Sequence, residues 1–503
     1  MKQFYILPAL LLMGSLAFGQ TLDDAVRFSR LSNTGSARMT AMGGAFGALG
    51  GDISSLSFNP AGIGVFRKSE IAFTPSLNFS NTESGHGSIP KNSFQIGQLG
   101  AVFGFYSPNF NWKGFNFGIN YTNLNNFNRK LHQFVENSPT SITNVWADNA
   151  YGLNPNQLSN LGSALAFDTR LIYVGVGEPE YRYYSVLEMQ DKETEELVTM
   201  PVNQDKRITE EGYQGEYAFS FGTNYKDKLY LGITVGLQSI FYKTKSTYVE
   251  LPEENSPTGL NVFSYDENTK LNGVGTNLKF GVIYRPIPQL RIGASIHTPT
   301  WYNMNYDYTS SLASWFLDTD PNQGRDEKEY AQWGDFSFDY NMKTPWRAIL
   351  SLATVLQQHF ILSADYEYVN YTSANYSESS DNYDYIYENQ DIKDLLRATH
   401  NFRFGSEYRF NSVFSLRAGY NYQASPYKNN KENNKIQSVS AGVGLNFGVF
   451  YCDAAYTHKY SKGESIFYSG YAPIAGNYYY YSAIPVTNRY YNNEARITLG
   501  VRF

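Results

Sequence analysis

Cysteine, histidine, charge excess and long apolar runs are all scarce in this chain, and each scarcity excludes something. The single cysteine, Cys452, cannot form an internal disulfide, which rules out the small cysteine-stapled class. Six histidines, at positions 86, 132, 297, 359, 400 and 458, include no His-Glu-x-x-His pair, and no Gly-x-Ser-x-Gly elbow is present. No Walker-type Gly-Lys-Ser/Thr loop occurs either. These gaps argue against an enzyme and against a metal or nucleotide cofactor. A net charge of -6 provides no basic footprint for nucleic acid. Beyond residue 20, nothing approaches the roughly 20 apolar residues of a spanning helix. The longest candidate, residues 348–356 (AILSLATVL), is strand-sized. Helices and closed barrels alone satisfy backbone hydrogen bonds in lipid, so a membrane fate here means a barrel.

Aromatic residues are abundant. The 43 Tyr and 34 Phe far outnumber 6 Trp, and both residues favour strands and membrane–water interfaces. A mean hydropathy of -0.42 does not oppose this, because a barrel's apolar and polar faces average out. At the start, Lys2, the apolar stretch 4–18 (FYILPALLLMGSLAF) and Ala17-Phe18-Gly19 read as an export signal over residues 1–19, leaving Gln20 first in the mature chain. No cysteine stands at that junction, so a lipid anchor is not expected.

The strongest single signal is residues 494–503 (EARITLGVRF). Ala495, Ile497, Leu499, Val501 and Phe503 fall on one face, and Glu494, Arg496, Thr498, Gly500 and Arg502 on the other. Ten residues of period two match one tilted crossing of a bilayer. The pattern recurs at Leu231, Ile233, Val235 and Leu237; at Leu290, Ile292, Ala294 and Ile296; at Phe414, Leu416, Ala418 and Tyr420; and from Val439 to Val449. Such segments predict an all-β fold, a transmembrane antiparallel β-barrel of about 14 strands. Their centres lie near 74, 100, 118, 220, 236, 277, 297, 348, 365, 403, 418, 442, 456 and 496. Connections after even-numbered strands are short. Those after odd-numbered strands are mostly long and polar, including 125–212, 309–333, 371–395 and 461–487, the expected extracellular loops. Tyr clusters at 383–387, 478–481 and 490–491 fit an aromatic belt with loop packing, or an exposed apolar capture surface. Charges on the expected inner face (Arg291, Asp365, Glu367, Arg403, Glu407, Arg409, Arg417, Asp453, Glu494, Arg496, Arg502) carry both signs, and pairing between neighbouring strands is the simplest reading. One basic member receiving a ligand carboxylate is the alternative.

Residues 20–68 do not alternate. Residues 23–31 suit a short helix, with Ala25, Val26, Phe28 and Leu31 near one side. A glycine-rich run, 36–57 (SARMTAMGGAFGALGGDISSLS), leads to Phe58-Asn59-Pro60-Ala61-Gly62, a turn by local chemistry because Pro60 disfavours a helical Asn59. The run with Ala-Met-Gly-Gly-Ala-Phe, Gly-Gly-Asp-Ile-Ser and Asn-Pro-Ala-Gly resembles the N-terminal hatch of the FadL/TodX family of outer-membrane transporters. Residues 281–291 (GVIYRPIPQLR), 344–347 (TPWR), 364–371 (ADYEYVNY) and 404–420 resemble later strands of that family.

The resemblance implies a chain divided into a signal (1–19), a hatch or plug inside the lumen (20–68) and a barrel (69–503). It implies passive uptake of a hydrophobic small-molecule ligand, such as a long-chain fatty acid or another hydrocarbon, at the cell outer membrane among lipid and lipopolysaccharide. Capture outside would be followed by movement of the hatch and sideways exit through the wall. Only Asn59, Pro60 and Ala61 are carried over as the hatch motif, with Phe58 and Gly62 as neighbours. Strand three is the expected lateral opening, since Gly114 and Gly118 weaken a strand; making room for the hatch is the other use of such small residues. A monomer is expected. The competing function is a scaffold or cargo-binding barrel of a protein secretion system, which the 125–212 insert and the Tyr-rich loops would suit. A sugar or ion porin fits less well, because residues 20–68 look built to fill the lumen.

Overall fold

The computed structural model describes residues 18–32, 34–85, 87–175, 181–190, 197–252, 259–317, 327–357, 359–379, 383–429, 433–474 and 477–503. Residues 1–17 of the expected export signal lie outside them.

Fourteen antiparallel strands form the wall. They are β1 (Glu70–Ser84), β2 (Gly87–Tyr106), β3 (Trp112–Asn126), β4 (Val202–Tyr225), β5 (Leu229–Pro252), β6 (Leu260–Ile287) and β7 (Leu290–His297, resuming at Trp301–Phe316). The circuit continues with β8 (Glu327–Lys343, resuming at Arg347–Leu356), β9 (Phe360–Asn370, resuming at Asn375–Glu378), β10 (Ala398–Arg409), β11 (Phe414–Gln423), β12 (Ile436–Asn446), β13 (Phe450–Ser465) and β14 (Val486–Arg502). β1 pairs with β2 on one side and with β14 on the other, Phe73 standing opposite both Leu99 and Leu499, so the sheet has no free edge. Every strand centre expected from alternation falls inside one of these strands.

The outward face is the apolar one. Leu231, Ile233, Val235 and Leu237 of β5 and Ile497 and Leu499 of β14 are exposed, while the intervening Thr234, Arg496 and Thr498 are buried inside. In lipid those exposed side chains are at home, and no other arrangement of a period-two strand buries one face and wets neither.

Short turns join the strands at one end, as at residues 226–228, 288–289 and 447–449. The other end is larger than alternation suggested. β4, β5 and β6 run to 24, 24 and 28 residues, well past what a bilayer needs. Residues 202–212, 309–316 and 327–333, expected in loops, are therefore strand. The cause is physical: above the membrane the outward side chains become polar (Lys243, Lys245, Asn303, Asp307), so an apolar period ends while the ladder continues.

On these tall strands sits a folded cap. Its strand Arg129–Ser138 pairs with β4. The helix Ile142–Ala150 follows, its first turn capped by the Ser141 side chain and by Asn144. Trp146 is fully buried there, 5.9 Å from the Phe263 ring and 5.3 Å from the Tyr265 ring, among Val145, Leu165 and Leu312. A hairpin, Ser469–Ile474 with Asn477–Ser482, packs on the same core, and its Tyr481 hydroxyl donates to Asp148 at 2.7 Å. The Tyr clusters thus split between both expectations. Tyr385 and Tyr481 are packing residues, whereas Tyr479 and Tyr480 project outward.

Two expectations follow. Ile233→Arg, on the lipid face, should cost about 2–4 kcal/mol if the site lies near the midplane, read from urea titration of the refolded barrel. Burial pushes the Asp148 carboxyl up to about 7 against the Tyr481 hydrogen bond, so its protonated form is favoured when folded. A raised folded pKa stabilises below the ordinary carboxylate range and that stability fades as pH climbs toward 7. Protease cleavage of the cap should therefore accelerate between about pH 4 and 7, and Asp148→Asn should flatten that rise.

Candidate functional site

The residues between Leu22 and Phe66 lie within the lumen as three short helices and a 3-10 turn. These are α1 (Phe18–Ser29), α2 (Ala37–Ala41), α3 (Ser55–Phe58) and the turn Pro60–Val65. Local chemistry explains the breaks. Ser36 caps α2 by accepting from Met39 N, and Asp52 accepts from Ser54 N at 2.9 Å and from Ser36 Oγ at 2.7 Å, folding two stretches onto each other. Asn59 caps the 3-10 turn. Its Oδ1 accepts from Ala61 N at 3.1 Å while its Nδ2 donates to Gly47 O at 2.6 Å and to Val282 O of β6 at 3.4 Å. Pro60 stands at the first position of the turn, where no N–H is needed. Phe58, Ala61 and Gly62 are buried beside it. The Asn-Pro-Ala triad thus joins two parts of the segment and one wall strand through a single amide.

The wall is cut to fit this turn. A Cβ on Gly281 would fall 2.0 Å from Asn59 Oδ1, and one on Gly232 would fall 2.2 Å from the Pro60 carbonyl. Gly118 on β3 plays the same part, because a Cβ there would meet Leu56 at 2.7 Å and Ile63 at 3.0 Å. Gly114 sits lower on β3, paired with Tyr106, where a Cβ would meet only ordinary contacts. The β2–β3 ladder runs from that pair to Gln98 with Thr122 and goes no further. Above it, the two strands are linked by Asn126 Nδ2 donating to Ser93 Oγ at 3.0 Å.

The lumenal charges pair, as alternation in both signs suggested. Arg403, fully buried, lies 2.7 Å from Glu367 and 3.7 Å from Asp365, and stacks over the Phe58 ring at 4.7 Å. Arg347 also reaches Glu367, at 3.4 Å. Arg417 bridges Glu407 at 2.8 Å and Asp453 at 2.5 Å, and Glu407 also takes Arg409 at 2.7 Å and Arg38 of α2 at 2.8 Å. Glu494 holds Arg496, and Glu70 holds Arg502. Arg291 differs, donating to the Leu49 carbonyl. Asp365 accepts from Phe46 N and Gly47 N at 3.0 and 3.2 Å, so the network grips the segment as well as the wall. His297 fills lumen space, its Nε2 2.8 Å from the Phe58 carbonyl. Among the described residues, no group of three or more His, Cys, Asp or Glu is placed to hold a metal.

Above this layer lies an apolar chamber that the sequence did not disclose, filled throughout by packed side chains. Its walls are Tyr302 and Met304 of β7, Tyr340 and Met342 of β8, and Val369, Tyr371 and Tyr376 of β9. The face of α1 carrying Ala25, Val26 and Phe28 occupies it. The other face of α1 is polar: Arg27 stacks over Tyr242 at 4.5 Å, and burial pushes the Asp24 carboxyl up to about 7 against the pull of Arg27. Beside the chamber is a polar cavity of about 70 Å³, bordered by Asn78, Asn123, Asn125, Asn421, Lys459 and Arg496. That is room for several waters and not for a long apolar molecule.

No family model and no curated protein matches this chain. Solved structures do. The fold is similar to the crystal structure of a FadL homologue from Pseudomonas aeruginosa, with a TM-score of 0.56 at 12% identity, covering 94% of this chain and 99% of that one. It is also similar to the toluene transporter TodX of Pseudomonas putida, with a TM-score of 0.51 at 12% identity, covering 94% and 99%. A second structure of that transporter gives 0.51 at 13% identity, covering 93% and 98%. The chain has the FadL-type fold, a closed barrel of 14 antiparallel strands.

Gly281→Val should dislodge Asn59 from β6 while leaving the lipid face untouched. The expected result is higher ion conductance in planar bilayers and faster proteolysis within residues 47–62, with heat-modifiability of the barrel retained.

Proposed function

We propose that this protein is an outer-membrane transporter for passive uptake of hydrophobic small molecules, long-chain fatty acids or other hydrocarbons, through a barrel plugged by residues 20–68. The observation that carries this reading is the apolar cluster of Tyr and Met side chains inside the barrel, against which one face of a short amphipathic helix packs. An open polar channel would serve a greasy ligand poorly. A pocket whose occupant is a displaceable helix serves it well. The FadL-type fold supports the same reading, since the solved proteins with this fold include ones named as toluene transporters.

In this reading, ligand exchanges for the apolar face of α1 in the chamber. The segment below then shifts as a unit on the contacts that hold it. Among these are the amide at Asn59, the Asp365 carboxylate on two backbone N–H groups, Arg38 on Glu407, and Arg291 on the Leu49 carbonyl. Each is polar and can be remade with water. Ligand leaves sideways through the wall and not along the lumen, where the charge layer would oppose it. No cofactor or energy source enters the cycle, and a monomer suffices. The folded cap with its outward Tyr479 and Tyr480 is the feature that a cargo-binding scaffold of a secretion system would use, and it is the second reading.

Cells lacking the protein should take up labelled fatty acids or alkanes more slowly than the parent, and Asn59→Ala or Pro60→Ala should reproduce much of that defect with the barrel still heat-stable. Normal uptake in the deletion strain, joined with loss of secreted proteins from the medium, would transfer the assignment to the scaffold.

A further inference from the structure

Three neighbouring strands lose their regular pairing at one height. β7 breaks at residues 298–300, β8 at 344–346 and β9 at 371–374. The flanking registers align these gaps: His297 faces Arg347 and Trp301 faces Lys343, while Arg347 faces Val369 and Lys343 faces Asn375. Across the second of these interfaces β9 carries extra residues, turned into a short 3-10 helix at Tyr371–Ser373. Pro299 and Pro345 remove two ladder N–H donors within the gap. What remains between β7 and β8 there is Thr344 N donating to Thr300 O at 3.0 Å and Thr300 N donating to Thr344 Oγ1 at 2.9 Å.

Behind this crease lies a small second cavity. It is bounded by Phe28, Ser29 and Leu31 of the lumenal segment and, on the wall, by Thr298, Thr344 and Pro345 together with the polar Gln238, Asn277, Lys279, His297 and Arg347. Phe28 also belongs to the apolar chamber, and Tyr302, Met342, Tyr371 and Ala374, which line that chamber, sit immediately next to the crease in sequence. Ser29 Oγ is buried there without a hydrogen-bond partner.

The outer side of the crease has a defined position in the membrane. Below it the lipid-facing side chains are Ile292, Ile296, Leu350 and Leu352, all exposed. Above it the corresponding positions are Asn303, Asn305, Asp307 and Asn341. Trp301 and Trp346, both exposed, flank the break, and Trp346 packs on Tyr368 with ring centroids 5.6 Å apart. Indole rings at the switch from apolar to polar mark the outer water–lipid boundary.

We infer that the crease in β7–β9 is a lateral inlet, through which apolar molecules already dissolved in the outer leaflet pass from lipid into the chamber. The inference rests on the uptake reading and names its source of ligand: the membrane itself, not the medium. What sets the crease apart from the β2–β3 side is its position. It lies at the lipid boundary flanked by Trp301 and Trp346 and adjoins Phe28 and Leu31, while the polar side chains bordering its cavity, Gln238, Asn277, Lys279, His297 and Arg347, are buried.

The test uses the whole protein in a Cys452→Ser background, reconstituted into phospholipid vesicles preloaded with deuterated hexadecane. Thr300→Cys with Thr344→Cys closes the crease on oxidation, and Ser93→Cys with Asn126→Cys closes the other stretch. After re-extraction in detergent, hexadecane bound per barrel is measured by mass spectrometry. The expected result is that the oxidised crease variant loses bound hexadecane to the level of protein-free controls, and that reduction restores it, which also shows that the variant is folded. Unchanged loading of the oxidised crease variant, or loss only when the β2–β3 stretch is closed, would overturn the inlet while leaving uptake intact. Absence of bound hexadecane on the unmodified protein would sink the uptake reading, and the inlet with it.

Discussion

A polypeptide in hydrocarbon has no water to satisfy its backbone, and that requirement governs the rest of this structure. Closing the sheet by pairing β1 with β14 removes the last free edge. The price is an interior wider than wall side chains can fill, since barrels of about 8 strands are the ones whose own side chains close the lumen. A chain with 14 strands must either hold water or bring in more chain. Residues 22–66 supply that extra chain, and the inward-facing glycines of β3, β5 and β6 let its backbone come into contact with the wall.

How the segment is held determines what it can do. Its apolar side chains pack on the wall, Met39, Met42, Phe46 and Leu49 against Ile349, Ala353 and Ile361, and Ile53, Leu56 and Ile63 against Val102 and Ala218. Ionic and polar contacts are added to these. Arg403 between Asp365 and Glu367, and Glu407 between Arg38, Arg409 and Arg417, form a layer that extends from wall to segment. Buried ion pairs add little net stability over apolar packing, but losing one partner is costly, so such a layer specifies position more than it binds tightly.

Much of the wall was legible from sequence because lipid imposes a period of two on everything it touches. Ile497, Leu499, Leu231 and Val235 declared their face without any knowledge of neighbours. The Asn-Pro-Ala turn was legible for a different reason: proline restricts Asn59 locally, whatever surrounds it. The chamber was not legible. Tyr302, Met304, Tyr340 and Met342 stand at positions of β7 and β8 that lie above the membrane, where the outward residues are polar and no apolar period announces a strand. Their common role arises only when three strands and α1 converge. The socket glycines fall between these cases: alternation placed Gly232 and Gly293 inside the lumen, but nothing local shows that a backbone lies against them. The strands extend into the expected long loops for the same reason: above the membrane the ladder continues without an apolar period.

The chamber and its occupant set a scale for what a ligand must do. α1 places Ala25, Val26 and Phe28 against the Tyr and Met walls, and full burial of a valine or phenylalanine contributes roughly 1.5–3 kcal/mol each. A ligand that displaces the helix face must replace that contact. A long alkyl chain gains about 0.8 kcal/mol per buried methylene, so several methylenes suffice to break even. Short molecules gain less and would leave part of the chamber empty, with the lost contacts that voids entail. On the proposed uptake reading, selectivity for length or ring content would need no specific recognition residue at this site, because it would follow from competition between the ligand and the protein's own helix for one apolar space.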